Sequence, residues 1–430
     1  MVKVKSIRGF EKFIFLQRVK LGVFIHFLPD FLKGKMSLRR FVAFLKRLLY
    51  FLSKLKHNKF VKIGKNTRID LYIPGFPLSA FYTACSKFSH FDTKLPCTVA
   101  LISITSACKF NCSYCYQKYD KGKDLDIDKL VEVVKALQDK GIAFFNIEGG
   151  DPFLTYDRLK KVCQAIDKRS EIWVNSTGYG ITLERLNELK KLNVTAIMFS
   201  LHTPYEQELN SFMGKDDAWK IMSDAIKICH KADISVAFNS CISKQAFYNG
   251  DFEKIMEKAK DYNASIIQII KPKPSGGALK KGADHFSKED IDHVKDLVNK
   301  YNLDKQYNDY PCISAQIIEE DEDMFGCTAG GTDRIYINAK GDVQPCEFLN
   351  ISFGNVQNKT FEEIYQKMRG CFKEACDCWI CEKYSGDVLK LFEKYDLKSL
   401  PLPPEVAEEL YENWDRGNKT RLYDKIDNIR

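Results

Sequence analysis

Between residues 98 and 270 the chain alternates two hydrophobic rhythms. Short runs rich in β-branched and aromatic residues recur at 98–104, 142–147, 172–176, 194–201, 234–240 and 265–270, and each predicts a buried strand. Between them, apolar positions return every three or four residues at 127–140, 182–192, 216–231 and 252–262, which predicts amphipathic helices. Six β/α units imply a parallel sheet with right-handed crossovers. The expected fold class is therefore α/β, a partial (β/α)6 TIM-like barrel. Residues able to carry chemistry fall where the strands end: Cys108 after the first, Gly149 after the second, Asn175 at the third and Ser200 at the fourth. Barrels build their sites on that face.

The flanks follow other patterns. Residues 1–95 are basic and aromatic-rich, and a turn-rich linker at Ile73, Pro74, Gly75, Phe76 and Pro77 interrupts them. Within 40–55, Phe41, Phe44, Leu45, Leu48, Leu49 and Leu52 recur at helical spacing, while Lys46, Arg47, Ser53 and Lys54 fall mostly elsewhere. Such a helix suits an anionic membrane surface; docking on the chain's own barrel explains the pattern equally well. No uncharged apolar run is long enough to span a bilayer. Nucleic acid is disfavoured as a partner, because no nucleic-acid fold signature accompanies the charge. The expected division is a basic N-terminal segment (1–95), the barrel (96–300), a small cysteine-rich domain (301–385) and a polar helical tail (386–430).

Composition sharpens two points. With 430 residues, 45% apolar and 29% charged, the chain is globular and long enough for a barrel plus appendages. The net charge of +9 is uneven: the first 60 residues hold fifteen Lys and Arg against Glu11 and Asp30, a local +13, leaving −4 for the rest. Fifteen cysteines without a visible secretory leader point to a reducing, cytoplasmic setting, with a peripheral position at the inner membrane face as an option. Isolated Cys85, Cys97, Cys163, Cys229 and Cys241 read as small hydrophobes.

Cys108, Cys112 and Cys115 share one short loop after the first strand. Three thiolates suit a four-iron cluster that keeps one iron open, whereas a closed zinc site wants a fourth ligand nearby. The C-x3-C-x2-C spacing, with Tyr114 before the third cysteine, resembles the signature of the radical S-adenosylmethionine (SAM) superfamily. That resemblance implies a [4Fe-4S] cluster whose open iron chelates SAM, reductive cleavage to a 5′-deoxyadenosyl radical, and hydrogen-atom abstraction. Glu148-Gly149-Gly150-Asp151-Pro152 resembles the family's GGEP segment, which holds the SAM amino group; Asp151 stands where Glu is usual, and a backbone contact tolerates that change. Asn175-Ser176-Thr177-Gly178 resembles the segment near the SAM ribose and carboxylate. Ser200 is a candidate SAM contact, and His202, where many relatives have Asp, reads as a hydrogen-bonded loop residue. Phe212-Met213-Gly214 matches the family's usual turn, and 267–277 resembles the last barrel strand and its exit loop. No catalytic side chain is assigned.

The second cysteine group reads Cys327-x13-Gly341-x4-Cys346, then Gly354-Asn355, then Cys376-x-Cys378-x2-Cys381. A hairpin over 334–345, turning at Lys340-Gly341, would bring Cys327 and Cys346 together. The pattern resembles the SPASM/twitch extension of radical SAM enzymes. It lacks the full seven-cysteine array, so the resemblance implies one auxiliary [4Fe-4S] cluster on Cys327, Cys346, Cys378 and Cys381. Cys376 is an alternative to either of the last pair, and Cys312 or Cys371 could contribute. A zinc ribbon accepts the same thiolates.

The expected function is a radical SAM enzyme acting on a substrate the sequence does not name, with a lipid or membrane-presented molecule as one option, reduced by a flavodoxin or ferredoxin. A ribosomal-peptide maturase is one alternative, although residues 1–95 do not read as a winged-helix leader-binding domain. A non-catalytic iron–sulfur or zinc protein is the other.

Overall fold

The computed structural model describes residues 4–92 and 94–430. The chain starts with strand β1 (Lys5–Ile7), which pairs antiparallel with β2 (Phe60–Ile63), itself paired with β3 (Asn66–Arg68). Two long helices, α1 (Gly9–Leu32) and α2 (Leu38–Lys54), fill the excursion between β1 and β2, and α3 (Ser79–Ser86) follows the linker. Ser37 caps α2 by accepting the Arg40 N–H at 3.3 Å. The apolar stripe of α2 faces inward: Phe41, Phe44, Leu48 and Leu52 are buried. So is Arg47, which donates to the carbonyls of Ile429 and His90 at 2.8 Å each. These four positions of the stripe are therefore not free to lie in a bilayer, because the chain's own core covers them, whereas Leu45 is half-buried and Leu49 exposed.

Six parallel strands then run in sequence order: β4 (Val99–Ser103), β5 (Phe144–Glu148), β6 (Glu171–Asn175), β7 (Val194–Ser200), β8 (Ser235–Cys241) and β9 (Ile266–Ile270). The crossovers carry α4 (Ile127–Asp139), α5 (Tyr156–Ala165), α6 (Leu183–Lys191), α7 (Glu206–Met213), α8 (Ala218–Ala232) and α9 (Asp251–Asp261). Strands covered on both faces are apolar throughout, and β4, β5 and β9 are buried at every position.

The sheet does not stop at six strands. After α10 (Lys288–Leu303), β10 (Cys312–Ala315) adds in parallel beside β9. Past the one-turn α11 (Gln316–Glu319), β11 (Arg334–Ile337) adds in parallel beside β4, and β12 (Val343–Gln344) pairs antiparallel with β11. The expected hairpin exists, but its first strand belongs to the barrel sheet, which thus crosses the boundary drawn near residue 300. Helices α12 (Phe361–Cys371), α13 (Ile380–Lys383), α14 (Ser385–Lys394), α15 (Pro404–Tyr411) and α16 (Arg421–Asp427) complete the chain. The last does not trail as a polar tail: Leu422, Tyr423 and Ile426 enter the core that α1 and α2 form.

The N-terminal unit closes one end of the barrel. Arg68 pairs with Glu171, at the start of β6, at 2.7 Å and lies over Trp173. Lys59 donates to the Tyr307 and Tyr310 carbonyls just before β10, at 2.6 and 3.0 Å. Thr98 and Lys87 both donate to Asp333, just before β11. All these ties lie at strand beginnings, so the opposite face, where the strands end, stays open. Among the described residues no helix is long and apolar enough to cross a membrane.

Candidate active site

A cavity of about 400 Å3 opens at the strand ends. The loop after β4 forms one wall with Cys108, Cys112 and Cys115; Gly149, Gly150, Asn175, Ser176, Ser200 and Tyr114 line the rest of that end. The cysteine loop is held from two sides. The Gly150 N–H donates to Thr105 O and the Asp151 N–H to Ala107 O, both at 2.7 Å. A Cβ on Gly150 would stand 2.1 Å from Ala107 O, so only glycine lets this turn lie flat on the loop. From the exit loop after β9, the Gly277 N–H donates to Cys115 O at 2.9 Å, and Gly276, at φ +48°, packs on Tyr116 O. Behind the loop, the Asn111 N–H donates to Met213 O at 3.2 Å.

Not every expected contact faces the cavity. The Asp151 carboxylate is fully buried behind the wall, accepting the N–H groups of Phe153 (3.0 Å) and Thr177 (2.9 Å), the Ser176 hydroxyl and the Thr177 hydroxyl. It ties the end of β5 to the end of β6. Burial pushes its pKa up, against the pull of those bonds. Pro152 is buried beside it. Tyr114 stacks on Phe212 with centroids 3.8 Å apart and meets the edge of His202 at 5.2 Å. His202 Nδ1 accepts the Cys241 N–H at 2.9 Å, and burial lowers its pKa to about 3, so the ring is neutral.

Other residues at the cavity carried little sequence signal. Glu148 accepts from the Tyr116 hydroxyl (2.8 Å) and Asn175 Nδ2 (3.0 Å); burial and then Glu347 raise its pKa to about 8. That leaves Asn175 Oδ1 buried without a hydrogen-bond partner, and Asn239 Oδ1 is in the same state. Cys241, set aside as a small hydrophobe, lines the same cavity. On the far wall, Lys271 and Lys273 reach Glu382 at 2.7 and 2.8 Å and lie 3.9 and 3.3 Å from the Trp379 ring centre. The only hint in the sequence was the basic, proline-rich exit loop.

Trp379 and Glu382 flank Cys381, so the second cysteine group adjoins the cavity's far wall. Cys327 and Cys376 form an antiparallel bridge, with the Cys327 N–H donating to Cys376 O at 2.7 Å. The hydrogen bond from the Cys376 thiol lowers Cys327 to about 7. Burial, Glu347 and neighbouring Cys381 and Cys327 hold Cys346 well above the usual thiol range. Cys327, Cys346 and Cys381 are among the residues that line one small void of about 10 Å3. Cys312 is not in this group: it sits buried at the start of β10, with Lys59 among its charged neighbours. Cys371, at the end of α12, has Lys367, Arg416 and Lys94 around it instead.

The first loop's donor set fits an iron–sulfur centre. Burial, then Cys115 and Cys108, push Cys112 up to about 12, and burial pushes Cys108 up to about 11. Thiols that repel one another's charge become good ligands once a cationic centre sits among them. Among the described residues, no three His, Cys, Asp or Glu side chains converge closely enough for a single ion. Cluster ligands reach separate irons, so a spread donor set is compatible with a cluster.

Known proteins bear on this arrangement in three ways. The radical SAM superfamily model matches residues 102–259, and the SPASM model, an iron–sulfur cluster-binding domain, matches 327–382. The AdoMet-dependent heme synthase of Nitratidesulfovibrio vulgaris is 23% identical over 297 residues, 64% of this chain and 80% of that protein. The Methanosarcina barkeri heme synthase is 21% identical over 308 residues, 65% and 86% respectively. Streptococcus suis SuiB bound to its precursor peptide SuiA shares the fold with a TM-score of 0.52 at 14% identity, over 72% of this chain and 77% of that one. These matches set aside the reading as a non-catalytic iron–sulfur or zinc protein. With both domains in the order that the two cysteine groups require, the chain carries a radical SAM domain and a SPASM domain, and it is a radical SAM enzyme that uses a [4Fe-4S] cluster and SAM, with the SPASM domain for further iron–sulfur binding.

Proposed function

We propose that Cys108, Cys112 and Cys115 hold the SAM-binding cluster, that SAM lies along Gly149, Gly150, Asn175, Ser176 and Ser200, and that the substrate is a peptide entering at the barrel mouth. The carrying observation is the clamp: the cysteine loop and the Gly149–Gly150 turn are hydrogen-bonded to each other on one cavity, beside the unpartnered Asn175 Oδ1. When bound, the cluster and SAM supply a 5′-deoxyadenosyl radical able to remove a hydrogen atom from an unactivated carbon. The chain's own residues bind and orient. Asn175 Oδ1 offers an acceptor for an ammonium or hydroxyl, and the glycine turn allows close backbone approach. Tyr114 on Phe212 screens one side from water. Asp151, from behind, fixes the relative position of the two strand ends. Cys327, Cys346 and Cys378 with Cys381 hold the auxiliary cluster in this reading, Cys376 being the alternative to either of the last two.

The peptide assignment draws on SuiB, whose likeness, at 72% of this chain, reaches well beyond the barrel strands. The heme-synthase matches favour a tetrapyrrole as second candidate. A lipid substrate lacks such support, since the ties of the N-terminal unit lie at the barrel end opposite the cavity. A flavodoxin or ferredoxin in a reducing cytoplasm is the fitting electron source.

Anaerobically reconstituted protein given SAM and dithionite should release 5′-deoxyadenosine, and Cys112→Ala should release none. Undiminished release from that variant, or none from wild-type protein with an intact cluster, overturns the assignment. Peptides and tetrapyrroles deuterated at candidate positions then distinguish the substrates: the true one passes deuterium into 5′-deoxyadenosine.

A further inference from the structure

Helix α1 is apolar on two opposite sides. Phe15, Val19, Val23 and Phe27 form its buried side. Phe10, Phe13, Ile14, Leu21, Phe24 and Ile25 form the other, and they are between 40% and 76% exposed. At 3.6 residues per turn these six fall within an arc of about 120°. A surface helix of a soluble domain normally turns a polar face outward. Ten of the sixteen large apolar or tyrosine side chains exposed among the described residues lie between Phe10 and Leu49, which makes this a patch rather than scatter. Between α1 and α2 runs a groove of about 210 Å3, walled by Val23, Phe24, Leu45, Leu48, Leu49 and Leu52, with Lys20 as its one charged lining residue.

The charge beside the patch has one sign. Residues 9–56 hold eleven Lys and Arg against Glu11 and Asp30. Arg18, Lys20, Lys33, Arg39 and Lys46 are exposed and make no ion pair among the described residues.

We propose that the outer face of α1 lies in the plane of an anionic lipid membrane, with its aromatic and aliphatic side chains among the acyl chains, the basic residues at the head groups and the α1–α2 groove receiving one hydrocarbon chain. The inserting face is not the stripe that the sequence pointed to, most of which the core buries; it is the far side of the preceding helix, and the stripe contributes only the α2 wall of the groove. Charge selects lipid over a second copy of the chain, because a two-fold pairing through this face would set the same basic residues against themselves. The N-terminal unit caps the barrel floor, so a bound enzyme keeps its cavity turned to water. Membrane contact then governs where the enzyme sits, not what enters the mouth.

The test is co-sedimentation of the full chain with vesicles of equal parts phosphatidylglycerol and phosphatidylcholine, or of phosphatidylcholine alone, at low and high salt. Binding should favour the anionic vesicles and weaken with salt. The exposed-site variant Phe13→Ser/Ile25→Ser should weaken it about tenfold or more, and Arg18→Glu/Lys46→Glu about tenfold or more on anionic vesicles alone. SAM cleavage should be unchanged in both, which separates failure here from failure of the catalytic assignment. Indifference to lipid charge, unaltered binding by the first variant, or a wild-type dimer that the first variant splits overturns the proposal.

Discussion

Replacing Gly150 with alanine would set a methyl carbon 2.1 Å from the carbonyl oxygen of Ala107 and 2.7 Å from that of Ser106. Both neighbours are backbone atoms of the loop that carries Cys108, so no rotamer change relieves the clash. An ordinary carbon–oxygen contact starts at about 3.3 Å, and turn and loop must therefore part by about 1 Å. Overpacking of this kind costs about 1–3 kcal/mol. The shift also breaks the register of the Gly150 N–H to Thr105 O and Asp151 N–H to Ala107 O bonds. It moves Cys108 relative to Asn175 and Ser200, and a misplacement of about 1 Å in a reacting constellation costs on the order of a hundredfold in rate. The assay pairs thermal unfolding of the cluster-free chain with 5′-deoxyadenosine release by the reconstituted enzyme. Gly370→Ala is the control, since its Cβ would meet nothing within 4 Å. If Gly150→Ala melts with wild-type protein and turns over SAM within twofold of it, the loop and turn are not clamped and the site reasoning fails.

Three further outcomes are expected. Glu148, lifted from 4.5 to about 8 mainly by burial, keeps in the folded chain a proton that the unfolded chain releases near its ordinary value. Stability should therefore fall as pH rises through that window, by about 1.4 kcal/mol per unit, and Glu148→Gln should flatten the slope in urea titrations of the cluster-free protein. Arg68→Met strands the Glu171 carboxylate in the barrel floor and should cost about 3–5 kcal/mol by denaturant unfolding; a loss below about 1 kcal/mol would mean that the pair is solvated. Cys327→Ala should spare SAM cleavage without substrate while impairing product formation, measured as the ratio of product to 5′-deoxyadenosine; equal loss of both marks the second cysteine group as structural.

The barrel was legible because its strands are buried on both faces. An uninterrupted β-branched run such as residues 194–201 has one plausible fate, and the six strands begin and end within two residues of their expected limits. Strand β10, four residues long, is too short to stand out from a loop, and β11, expected as the first arm of a hairpin, carries no local sign that it joins the barrel sheet, so the sheet's extension past residue 300 was invisible. Periodicity announced that α2 has an apolar face but not what covers it. In α1, two apolar faces blurred the period, and the helix that leaves its side chains in water went unremarked. At the cavity, motif spacing located the cysteine loop and the glycine turn. It did not show that Asp151 turns inward to Thr177, nor that Lys273 meets Glu382 across 109 residues of chain. Pairings set by the folded topology leave no local trace.

Helix α16 supplies one wall of the core that α1 and α2 begin, through Leu422, Tyr423 and Ile426. During synthesis at about 5–20 residues per second, α2 would leave the ribosome tens of seconds before that wall exists. Over that interval Phe44, Leu48 and Phe51 have no complete shelter, and nascent chains are vulnerable to clumping or to capture by chaperones. Loss of α16 would thus be felt in the unit that α1 and α2 build, far from it along the chain.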